Sequence, residues 1–187
     1  MSEGLATPPV GRIDSIIDST GSLRAIELLR IAAGPITLLH LMPFFRDAAN
    51  GLVYSDRFSQ PYGDWYPHLP KMIYLLALWA MIPAAIALSV GLATRVASVY
   101  AAGFVTYNLF LSRTHFFHNR AFLVVMLTGI ALLPLGRALA LDARLRARRG
   151  QPRLTPEGLL WPVLLMRFEV IVVFVASGVS RLIDSDW

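Results

Sequence analysis

Glu27, Arg30, Arg167 and Glu169 are the residues of this chain best placed to do chemistry, because all four interrupt long apolar runs. A charge inside such a run costs about 3 kcal/mol at mid-membrane, and it marks an ion path, a proton relay or a network that locks helices together. Glu27 and Arg30 are three apart and share one helix face. Arg167 and Glu169 are two apart and face differently, so each needs a partner on another element. At about 1.5 Å per residue, Arg30 lies roughly 10 Å into the first run, Arg167 roughly 12 Å and Glu169 about 15 Å into the last. The similar depths predict that the first and last runs lie close and share a polar cluster of Glu27, Arg30, Arg167 and Glu169. A structural network that fixes packing is the favoured role. A proton path or a site for an anionic head group is the other.

The histidines carry the second set of candidates. If helical, His115 and His118 lie on one face, and imidazole is a common ligand of metals and tetrapyrroles. No third ligand stands near them, and Phe116 and Phe117 point to an interfacial turn, so no metal is expected. His118, Asn119 and Arg120 are expected to cap helices and close the outer surface. His40 reads as a packed, hydrogen-bonded residue near the outer end of the first run.

The elements that must hold these groups are membrane helices. Fully 56% of the 187 residues are hydrophobic and only 16% are charged, a bias that places the chain in a bilayer. About 20 apolar residues span one as a helix. Five candidate spans run roughly over Leu23–Phe45, Met72–Leu92, Val96–Leu111, Ala121–Leu135 and Leu159–Ile183. The third and fourth are short and imply local thinning or extension into their turn. Backbone groups in lipid must be satisfied within the segment, so an all-α bundle follows. Residues 1–22 form a polar tail, with an interfacial helix at Arg12–Ser19 suggested by Ile13, Ile16 and Ile17. Residues 23–187 form the transmembrane domain, and Ser22 caps its first helix.

The loop before the last span carries Arg137, Arg144, Arg146, Arg148, Arg149 and Arg153 against Asp142 and Glu157. The positive-inside rule places it in the cytoplasm, with the N-terminus, and places the C-terminus outside. The arginines are read as topology signals and contacts for anionic lipid, not as a nucleic-acid site. The tail has no apolar core with a small-residue cleavage site, so the first span is expected to act as an uncleaved signal. Absence of cysteine excludes disulfides and thiolate-ligated metal centres.

Arg167, the apolar run after it, Ser177-Gly178-Val179, Leu182 and Asp186-Trp187 form an ordered pattern. It is preceded by Leu29-Arg30-Ile31 with Gly34, Gly91-Leu92 with Arg95, and Arg113-Thr114 with His118. Over residues 24–187 this set resembles the HTTM (horizontally transferred transmembrane) domain family, the bacterial relatives of the membrane part of vitamin K-dependent γ-glutamyl carboxylase. The resemblance implies a multi-pass protein of the bacterial inner membrane. It also implies that the position of Arg181 holds the lysine base that deprotonates the hydroquinone, with a histidine at His118 assisting.

This chain departs from the pattern. Arg181 replaces the lysine, and a guanidinium with a pKa above about 12 does not act as a neutral base. Phe117 stands where the family has asparagine, Ile183 is an extra residue, and relatives continue beyond the point matching Trp187. Carboxylation is therefore not the expected activity. The expected role is a non-catalytic membrane subunit packed against other subunits, as in a photosynthetic or respiratory complex. The alternative is a quinone- or lipid-binding membrane enzyme with His118 and Arg181 at its site.

Overall fold

The computed structural model describes residues 20–22, 24–55, 63, 65–133, 139–152 and 157–183, excepting the side chains of 159, 162, 177, 180, 181 and 183. The expected interfacial helix at 12–19 and the Asp186-Trp187 pair lie outside them. Six helices are described: α1 (Arg24–Ala49), α2 (Lys71–Val90), α3 (Thr94–Leu111), α4 (His118–Leu132), α5 (Leu141–Arg148) and α6 (Trp161–Ile183). A 3₁₀ turn, Arg113–His115, joins α3 to α4. By length and composition, α1 and α2 are long and apolar enough to cross a membrane, and α4 is a shorter apolar helix.

The bundle is built on α1 against α2 and α3 against α4, with α2 and α3 also packed together. Its core includes Leu41, Phe44, Tyr74, Leu78, Met81, Leu88 and Leu127. Helices α1 and α2 approach closely at Gly34, where an added Cβ would lie 2.0 Å from Ser89 Oγ and 2.4 Å from the Ala85 carbonyl oxygen. Helix α2 ends on Gly91 in the left-handed region, at φ 76°. The amides of Gly91 and Leu92 both donate to the Ala87 carbonyl, at 2.9 and 2.8 Å, closing the helix as a glycine C-cap does. Helix α6 seats Met166 over Gly129 of α4 and leaves most of its length exposed.

Two features were not among the expected elements. Strand β1 (Thr20–Ser22) pairs antiparallel with β2 (Glu157–Leu159), Thr20 opposite Leu159 and Ser22 opposite Glu157. The last helix therefore starts at Trp161, not at Leu159. The ladder satisfies backbone groups on the two segments that lead into α1 and α6, and it holds those entries side by side. Ser22 still accepts the Arg24 amide, at 3.4 Å. The second departure is α5, a short helix within the basic loop that apolar periodicity could not reveal.

Candidate functional site

Arg30 is 0% exposed, and each of its three guanidinium nitrogens donates a hydrogen bond. Nε donates to Glu27 Oε2 at 3.0 Å. Nη1 donates to the carbonyls of Ser89, at 2.9 Å, and Leu88. Nη2 donates to the Leu139 carbonyl at 2.9 Å. The Leu88 and Ser89 oxygens belong to the last turn of α2, where unpaired carbonyls carry the negative end of the helix dipole. One cation thus meets a carboxylate, a helix C-terminus and the chain before α5.

The structure brings Glu27 and Arg30 together and leaves Arg167 and Glu169 apart from them. Arg30 and Glu27 form a buried salt bridge. Helices α1 and α6 do border a common apolar groove of about 450 Å³, floored by α4, which Arg167 and Glu169 also line. Arg167 is exposed and Glu169 half-buried. The four-residue cluster does not form because backbone carbonyls, invisible to a search for charged partners, take the donors of Arg30.

The larger cavity, about 840 Å³, lies at the opposite end, between the last turns of α1, the segment after it, and the α3–α4 turn. Ser112 shapes that turn. Its Oγ accepts the Thr114 amide at 3.4 Å and lies 2.9 Å from Thr114 Oγ1. The tight turn swings His115 inward, to 7% exposure, with its ring edge-on to Phe44 at 4.7 Å. Arg120, one turn into α4, lies over the Phe44 ring at 4.6 Å and the Phe117 ring at 5.1 Å. Its Nη1 donates to the His115 carbonyl at 2.9 Å. Arg46 and Asp47 complete the charged lining.

Burial, and then the Arg120 charge, push the His115 imidazole down to about 4, against the pull of a hydrogen bond to the Asn108 carbonyl. The ring is therefore neutral at physiological pH. Behind it, Tyr74 Oη donates to Asn108 Oδ1 at 2.7 Å, and Asn108 Nδ2 donates to the Phe104 carbonyl at 3.0 Å. Tyr107 pins the outer loop: its hydroxyl accepts the Leu69 amide at 3.0 Å, and its carbonyl accepts Tyr66 Oη at 3.2 Å. Tyr54, beside the cavity, sits at φ 64°, a conformation that costs a non-glycine residue about 1–2 kcal/mol.

A sequence model of the HTTM domain matches residues 22–187. The chain belongs to the HTTM domain family. It is therefore a membrane protein of the carboxylase-related group. No curated protein and no solved structure matches it.

In this HTTM chain the two histidines part company. His115 closes the 3₁₀ turn and His118 opens α4, with extended Phe116 and Phe117 between them. They share no helical face. His118 is exposed and packs edge-on against Phe116 at 6.1 Å. Among the described residues no three His, Asp or Glu side chains gather as a metal site. The side chain of Arg181 lies outside the described residues. His40 Nδ1 lies 2.9 Å from the Ile36 carbonyl of its own helix, a local bond. Sequence reasoning gave Arg120 a capping role and passed over Asn108. A lone amide inside an apolar span is itself a signal, since it must find a partner there.

Proposed function

We propose that this HTTM protein is a non-catalytic, five-span membrane protein that holds a quinone- or lipid-class ligand in its outer cavity. The spans are α1, α2, α3, α4 and α6, with the N-terminus cytoplasmic and the C-terminus outside, in a bacterial inner membrane. Exposed Arg24, Arg95, Arg144, Arg146 and Arg148 gather at the end opposite the cavity, which favours that orientation.

The composition of the cavity carries the binding reading. Two guanidinium groups, Arg46 and Arg120, stand against one carboxylate, Asp47, beside a neutral imidazole and apolar walls. Such a lining suits an apolar body with an anionic or hydrogen-bond-accepting head. It lacks a base matched to neutral pH. An imidazole held near 4 binds a proton weakly, and general bases work best near the operating pH. Arginine at 181 retains its proton.

A second observation is compatible with a place in a larger assembly. The apolar face of α6 is exposed at Phe168, Ile171, Phe174 and Leu182, a surface for lipid or for neighbouring subunits.

The test is purification from native membranes in mild detergent, followed by mass spectrometry of the extracted small molecules. A stoichiometric quinone or lipid, lost on Arg120→Ala, supports the reading. Retention of that molecule in an Arg46→Ala/Arg120→Ala protein refutes the cavity as its site. Turnover of a quinone by the pure protein refutes the non-catalytic assignment.

A further inference from the structure

Helix α5 has no part in the cavity, yet it concentrates charge. Arg144, Arg146 and Arg148 are exposed along it, Arg149 follows, and Asp142 is its one acidic residue. At 3.6 residues per turn, Leu141 and Leu145 sit together, with Arg144 and Arg148 on one side and Arg146, Arg149 and the lone Asp142 on the other. Leu141 is 37% exposed. An arc with an apolar centre and cationic flanks fits a boundary that is anionic above and apolar below. Arginine stems lie along the apolar layer while their heads reach phosphate.

The helix is anchored to the bundle. The Asp142 amide donates to the Gly91 carbonyl at 3.1 Å. Arg30 Nη2 holds the Leu139 carbonyl at 2.9 Å, and Ala140 is buried against Gly91. This fixes α5 beside the α2–α3 turn, where Arg95 is also exposed.

We propose that α5 is a binding element for anionic phospholipid, with its three arginines and the following Arg149 on lipid phosphates and Leu141 and Leu145 in the acyl region. Charge complementarity commits it to anionic lipid, and the central leucine pair favours lipid over nucleic-acid phosphate. The proposal rests on the five-span reading only for which leaflet is bound.

The test uses the full-length protein in nanodiscs of phosphatidylcholine with and without phosphatidylglycerol, with retained lipid read by native mass spectrometry. Preferential retention of phosphatidylglycerol is expected, weakening about fivefold for each arginine changed to glutamine. It should persist when all four become lysine, which keeps the charge and controls for folding. Equal retention of the two lipids, or an undiminished preference in the Arg144→Gln/Arg146→Gln/Arg148→Gln/Arg149→Gln protein, overturns the proposal. So does displacement of the lipid by a short DNA duplex at physiological salt. The chain has no cysteine, so Gly150→Cys alone reports the side of the membrane by impermeant maleimide labelling. Labelling from outside refutes the orientation and leaves the lipid preference standing.

Discussion

Replacing Arg30 with methionine is expected to be the most damaging single change in the bundle. The methionine fills much of the volume but removes every donor. Glu27, 2% exposed, loses the guanidinium from its carboxylate, and the carbonyls of Leu88, Ser89 and Leu139 lose their side-chain donor. Breaking one side of a buried pair costs about 3–5 kcal/mol, to which each abandoned carbonyl adds about 1 kcal/mol. A loss of about 5 kcal/mol or more is comparable to the whole stability of many folds. Glu27→Gln should cost less, because it removes a charge yet leaves an acceptor for Nε. Glu27→Gln combined with Arg30→Met should be less damaging than the sum of the two, since both changes remove the same buried ion pair. The assay is reversible unfolding in mixed micelles by increasing SDS, followed by circular dichroism and tryptophan fluorescence. An Arg30→Met protein within about 1 kcal/mol of the parent, or strict additivity in the double variant, would refute this account.

Two further outcomes follow from the geometry. Gly91→Ala should destabilise the same junction by about 2 kcal/mol or more in that assay, because φ is 76° and the new Cβ would lie 2.5 Å from Ala140 Cβ. An unchanged midpoint would count against the close approach. His115 makes stability depend on pH. Its folded value is lowered from 6.5 to about 4, so the unfolded chain binds the extra proton, and stability is lost as pH falls from about 6.5 towards 4. The slope is at most about 1.4 kcal/mol per pH unit for one group. A His115→Asn protein should flatten that window, and a parent whose unfolding midpoint is constant between pH 7 and 4.5 would contradict the buried, neutral imidazole.

Apart from α5, the helices were legible in the sequence because each carries its own apolar run. Gly91 and Pro70 bracket α2, and the apolar run of α6 ends close to where hydropathy places it. The Glu27–Arg30 pair was legible from spacing alone. The partners of Arg30 were not, because they are backbone oxygens supplied by residues 58, 59 and 109 positions away. The β1–β2 ladder was hidden for a related reason. Thr-Gly-Ser and Glu-Gly-Leu have no strand pattern, and their pairing joins segments more than 130 residues apart. Ser112 tightens the turn into a 3₁₀ form that buries His115, and periodicity carries no trace of that geometry. Arg120 enters the cavity through two aromatic faces, contacts that exist only once α1 and α4 are packed.

The reach of Arg30 along the chain also bears on how the protein is made. As α1 leaves the ribosome, Arg30 has Glu27 within its own helix and nothing else. Its next acceptors, Leu88 and Ser89, are synthesised 58 and 59 residues later, when α2 is nearly complete. Leu139 arrives 109 residues later. The acceptors of Arg30 thus become available in two stages of synthesis, first with α2 and then with the chain before α5. Within α1 alone Arg30 therefore has Glu27 as its partner, and its carbonyl acceptors come from later parts of the chain.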